Sequence, residues 1–154
     1  MDEHGILRDP SELKTLLFNC PAYSDIAFVA LNSNLFYWFL TVGSDCRNLN
    51  MREVLGFPIN LKNMATPIQD KLRKLATELA EDLQAKSEYR NMSFKELGVL
   101  TIQCMLPIKS KSIIDQIDQV LAKHYGFTDE ELNFIINYDI KYRMGRDNGD
   151  ESEE

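Results

Sequence analysis

The stretch "SIIDQIDQVLAKHYGFTDEELNFII", residues 112–136, decides the fold class. Ile113, Ile114, Ile117, Val120 and Leu121 recur at the three- and four-residue spacing that gathers side chains on one face of an α-helix. Gly126 stands where a helix closes in the left-handed conformation. Thr128 and Glu131 have capping-box spacing, with Phe127 before the cap and Leu132 inside the helix placed for a hydrophobic staple. Leu132, Ile135, Ile136 and Ile140 carry the stripe onward, so a helix pair is expected here.

Toward the N-terminus lies the longest helical pattern, "TPIQDKLRKLATELAEDLQAK", residues 66–86. Ile68, Leu72, Leu75, Leu79 and Leu83 form one stripe and charges cover the other face. Thr66 is read as the cap, with Pro67 in the first turn and Gln69 reaching back. Pro21 opens an earlier helix through Ile26, Ala27, Ala30 and Leu31. Asn32, Ser33 and Asn34 end it and cap the next, which carries Leu35, Phe36, Phe39 and Leu40 and fades at Gly43. Asn50 and Glu53 suggest a second capping box, held to one or two turns by Gly56 and Pro58.

Between the long helix and the C-terminal pair, "GVLTIQCMLP", residues 98–107, is short, apolar and β-branched, and reads as a strand. A strand cannot satisfy its own backbone. The candidate partner is "ELKTLLFN", residues 12–19; the alternative is a strand from another chain. The expected fold is therefore mainly α with a small β element. It has one long amphipathic helix, a C-terminal helix pair and one or two short strands. A single domain is expected over 13–145, after a loose leader at 1–12. The tail "RDNGDESEE", residues 146–154, is acidic, buries nothing, and is expected to be disordered.

Composition narrows the class. The 154 residues are 44% hydrophobic and 27% charged, which suits a water-soluble globular domain. No apolar run approaches the ~20 residues of a membrane helix, and the polar N-terminus is no secretory signal. Cys20, Cys46 and Cys104 lie far apart without a CxxC pair, so they read as reduced thiols of a cytoplasmic protein. The formal net charge of −7 opposes strong independent binding to nucleic acid.

Motifs for catalysis are missing: there is no GxGxxG, phosphate-cradling GxxxxGK[ST], HExxH or GxSxG. His4 and His124 lie far apart in sequence, and His124 reads as a cation at a helix C-terminus. "DEELN", Asp115 and Asp118 read as acids in first helical turns. "SDCRNLNMRE", residues 44–53, is richer. Arg, Asn and Asp pair with base edges and phosphates, but they also build tight turns. An ion pair of Asp45 with Arg47 or Arg52 inside a turn accounts for the same residues. The neighbouring aromatics Phe36, Tyr37, Trp38 and Phe39 read as core.

Two blocks carry a family resemblance. "ALNSNLFYWFLTVGSDCRNLNMREVLGFPI", residues 30–59, resembles the LNSxLFYW...SDxRxLNxREIxxFPI block of large bacterial adenine-specific DNA methyltransferases and restriction-modification enzymes. "SKSIIDQIDQVLAKHYGFTDEELNFIINYDIKYRMG", residues 110–145, resembles the block that closes those chains. The likeness runs from about Leu16 to Gly145, strong at both ends and weak from Lys62 to Leu106. Ser112 departs from the family's proline, although a serine can cap a helix that begins there, and the acidic tail passes the usual end.

The resemblance implies a C-terminal, non-catalytic segment. An upstream Rossmann-like domain of the complete enzyme would bind S-adenosylmethionine and act on a flipped adenine. This chain contributes no cofactor or metal site in that reading. Double-stranded DNA and the methyltransferase domain are the implied partners, and an unpaired strand would also permit a homo-oligomer. Asp45, Arg47, Asn48, Asn50, Arg52, Lys109 and Lys111 become candidate DNA contacts. A basic face uniting Arg47, Arg52, Lys109 and Lys111 would favour DNA recognition. An exposed apolar helical face would favour a protein-interaction module with little DNA contact. A third possibility is a separately encoded protein that kept the fold and lost the enzyme.

Overall fold

The computed structural model describes residues 14–47 and 49–138. The expected leader at 1–12, Asn48, Ile140 and the acidic tail lie outside the described residues. Among the described residues, six α-helices and one β-hairpin follow one another: α1 (Pro21–Leu31), α2 (Asn34–Gly43), α3 (Met51–Gly56), α4 (Thr66–Ala85), β1 (Glu88–Phe94), β2 (Gly98–Cys104), α5 (Lys111–Tyr125) and α6 (Asp129–Asn137). The mainly helical fold with a small β element is thus the observed one.

α4 is the spine: α1 packs along one side and α5 along another, while α6 closes against α5 and α2. Its stripe lands where helical spacing puts it, with Leu72, Leu75, Ala76 and Leu79 buried. Ile26 and Val29 of α1, Leu35 and Phe36 of α2 and Ile114, Ile117, Val120 and Leu121 of α5 join it in the core. The α4 cap differs from expectation. Ala65 occupies the cap position, Thr66 lies inside the helix, and Gln69 Nε2 donates to the Met64 carbonyl at 2.7 Å. Ser112 likewise lies inside α5, whose cap position is Ser110.

Two signals read in the C-terminal pair are met, the left-handed glycine and the capping box. Gly126 takes φ +73° after α5, a conformation glycine adopts without a Cβ penalty. Thr128 and Glu131 form the capping box of α6, and Phe127 stacks on Tyr125 at 5.5 Å. Ser33 caps α2 by accepting from the Phe36 N–H, and Asn32 closes α1.

The strand pairing corrects one expectation. β2 lies within the expected strand, but its partner is β1 rather than "ELKTLLFN". Residues 14–18 form no regular element, and Leu17 is 91% exposed. A short reversal through Lys95–Leu97 makes the antiparallel hairpin a local contact, cheaper in chain entropy than a partner some 80 residues away. Because β2 is paired inside the chain, an unpaired strand no longer supplies a reason for a homo-oligomer.

The hairpin stands away from the helices as an arm. Pairing of Arg90 with Ile102 and of Met92 with Leu100 puts Arg90, Met92, Phe94, Leu100, Ile102 and Cys104 on one face. Tyr89, Asn91, Ser93, Val99, Thr101 and Gln103 share the other. Met92 is 40% and Phe94 39% exposed, so the more apolar face is only partly covered. Lys109 just before α5 grips the base of the arm through Glu88, at 2.7 Å.

Candidate functional site

The polar loop between α2 and α3 is the densest group of candidate contacts. α2 spends its N-terminal half in the core, where Leu35 and Phe36 are buried. Phe36 and Phe39 both meet Phe57 edge-on, at 5.3 and 5.4 Å. Phe36 is core, Phe39 and Trp38 pack partly buried against it, and Tyr37 meets Tyr138 instead; the phenylalanines make a firm mount for the loop that follows.

Within the loop, the Asp45 carboxylate accepts the Arg47 backbone N–H at 3.1 Å, a short turn of the kind aspartate builds. Cys46 at its centre has φ +56°, uncommon for a residue with a Cβ. Asp45, Arg47 and Asn50 are exposed; Asn48 lies outside the described residues. Asn50 and Glu53 form the expected capping box, and the Asn50 N–H donates to Glu53 Oε2 at 3.0 Å.

The ion pair that sequence assigned to Asp45 is made elsewhere. Arg52 donates through Nε and Nη2 to Glu53 Oε1, at 3.2 and 2.8 Å. The Arg52 side chain is 82% exposed while that of Glu53 is 5% exposed. Glu53 thus uses one oxygen for the cap and one for the guanidinium. The guanidinium, joined by backbone donors, holds the Glu53 carboxyl below the usual carboxylate range, and Glu53 in turn raises Arg52. Phe39, Leu40, Gly43, Arg52 and Glu53 enclose a shallow cleft beside this pair.

Lys109 and Lys111 belong to a different part of the surface. Lys109 is bound to Glu88, whose carboxyl is held low first by Lys109 and then by Arg90. Lys111 is bound to Asp115 at 2.6 Å. Asp115 also accepts from Asn34 Nδ2 at 3.3 Å, which places Lys111 beside the first turn of α2. Arg52 lies beside the last turn, with Gly43. A ten-residue helix separates them by roughly 15 Å, about twice the ~8 Å over which physiological salt screens a charge. The four cations form no continuous basic face, and three of them are matched to carboxylates.

Asp118 holds the junction that sequence reading missed. Like Asp115, it lies beyond the first turn of α5, which holds no acid, and it is 2% exposed. Its carboxylate accepts from the backbone N–H groups of Asn34 and Leu35 at 3.1 and 3.0 Å, and from Asn34 Nδ2 at 2.6 Å. These amides belong to the first turn of α2, where a helix has N–H groups without internal acceptors. Asp118 caps α2 from another helix, 84 residues away from Asn34.

Two apolar clefts lie elsewhere on the surface of the described residues. One gathers Leu16, Phe18, Leu31, Val54, Leu55 and Leu61. The other runs between α2 and α6, over Trp38, Phe127, Phe134 and Ile135, with Glu130 and Glu131 at its edge. Among the described residues no three His, Cys, Asp or Glu side chains converge to hold a metal ion. No single described helix is long and apolar enough to cross a membrane; α1 and α2 together have the apolar length but are bent by 67°. No family model, curated protein or solved structure matches the chain.

Proposed function

We propose that the chain is a non-catalytic segment of an adenine-specific DNA methyltransferase or restriction-modification enzyme. It contributes to recognition of double-stranded DNA and docks on the methyltransferase domain. S-adenosylmethionine would be held by that domain. The observation that carries this reading is the joining of the two resembling blocks. Asp118 of the second block caps the helix opened by the first. The residue at position 34 varies in the family pattern, and two of the three bonds come from backbone N–H groups that any residue there supplies. A shared structural unit therefore gives both blocks a physical reason to occur together.

In this unit the segment 44–53, the loop and the first turn of α3, is the edge offered to DNA, on a rigid aromatic mount. Its test uses Arg47→Ala and Arg52→Ala in the chain combined with its methyltransferase domain. A base contact should cost ~1–3 kcal/mol and relax specificity at one base pair. A phosphate contact should weaken all sequences alike and reduce the salt slope by about 0.9. Lost thermal stability with unchanged discrimination would return the loop to a structural turn.

A second reading, a protein-interaction module with little DNA contact, is favoured by the hairpin and the paired cations. The exposed Met92 and Phe94 suit a protein surface better than a phosphate backbone. Phe94→Glu should then abolish docking on the methyltransferase domain at an unchanged melting temperature. Docking that survives the substitution removes the hairpin from the interface.

A further inference from the structure

We infer that the groove between α2 and α6 receives a short basic segment of a protein partner, anchored by one or two large apolar side chains. Its floor is Trp38, Phe127 and Ile135, and one wall is Phe134, which is 54% exposed on the solvent side of α6. A space of about 350 Å³ lies at the small end of ligand sites and suits an anchor rather than a whole helix. The rim decides the sign of the ligand. Glu130 and Glu131 line the groove, and Asp129 precedes them in the same turn. Glu131 is committed to the Thr128 cap, through bonds of 2.8 and 3.1 Å. Glu130 is exposed at the lip.

A partner carboxylate would meet like charge at this lip. A lysine or arginine beside the anchor meets the exposed Glu130 carboxylate, which attracts it. Apolar floor and acidic rim thus select together for an apolar anchor flanked by basic residues. This inference does not depend on DNA contact by the 44–53 loop.

Trp38 is the only tryptophan in the chain, so groove occupancy reports directly in the emission of the intact protein. The probe is a blocked peptide, Lys-Leu-Phe-Arg-Lys, compared with Glu-Leu-Phe-Asp-Glu. The basic peptide should shift Trp38 emission saturably below about 1 mM, and the acidic one should not. Phe134→Ala should weaken the basic peptide by at least about fivefold. Glu130→Lys should weaken it by about the same factor and admit the acidic peptide. Glu81→Lys, an equal charge change on α4 outside the groove, should leave binding unchanged. An equal response to both peptides, or equal weakening by the two charge reversals, overturns the inference. So does self-association of the chain that Phe134→Ala abolishes, because a second copy would then fill the groove.

Discussion

Replacing Asp118 by alanine tests the junction on which the fold turns. The change removes the acceptor of two backbone N–H groups and of the Asn34 amide, at a site 2% exposed. A buried donor left without an acceptor costs ~1–3 kcal/mol, and bonds to a charged acceptor lie at the upper end. With little water able to replace the carboxylate, the expected loss is ~3–5 kcal/mol. Asn34→Ala keeps the two backbone bonds and should cost only about 1 kcal/mol. An acid that merely answered a helix dipole would be worth ~0.3–1 kcal/mol. Urea unfolding followed by Trp38 emission separates these values, because Trp38 lies on the capped helix itself. A loss below about 1 kcal/mol for Asp118→Ala would refute the capping role.

Local geometry sets four further outcomes. Gly126→Val should destabilise by about 1–2 kcal/mol through backbone strain alone, since nothing lies within 4 Å of the added Cβ. Phe127→Ala should cost about 2–3 kcal/mol by removing the ring from Tyr125 and the core, and both should exceed His124→Ala in thermal melts. At the hairpin base, Lys109 and Arg90 hold the folded Glu88 carboxyl below its ordinary value. That stabilisation is complete above the unfolded value near pH 4.5 and is lost as the pH falls through the lower folded one. Limited proteolysis at 95–97 should therefore quicken on acidification, and Glu88→Gln should flatten the dependence. The Tyr125 hydroxyl, pushed up to about 12 by burial, acts at the other extreme. Its neutral form donates to the Pro58 carbonyl, so stability should fall as the pH rises from about 10 toward 12, and Tyr125→Phe should remove that fall.

What could be read in the sequence was what neighbours within a few residues decide. The α5–α6 pair was legible because Gly126, Thr128 and Glu131 do their work across four residues. The α4 stripe was legible because helical spacing and burial coincide. β1 was hidden because "EYRNMSF" alternates weakly and keeps charges and amides on a solvent-exposed ribbon. The site was legible only in outline. Asp45 looked like the partner of Arg47 or Arg52, but its carboxylate takes the Arg47 backbone N–H and the α3 cap brings Glu53 to the Arg52 guanidinium. The carboxylates that pair with the candidate DNA contacts Lys109 and Lys111 were hidden, because Glu88 is 21 residues from Lys109 and Asp115 read as a first-turn acid. Asp118 was misplaced because nothing local reveals that its helix will lie across the start of α2.

The span from Asn34 to Asp118 also sets an order of events during synthesis. A ribosome adding ~5–20 residues per second needs roughly 4–17 s to cover those 84 residues. Through that interval the first amides of α2 have no carboxylate to receive them, and Trp38 has no α6 to lie beside. The nascent chain carries its stickiest segment early and its cover late. Slowing translation between residues 50 and 118 should lengthen the time this segment is open to chaperones. A destabilising change at Asp118 then acts as a delay in leaving them, before it is visible as a lowered melting point.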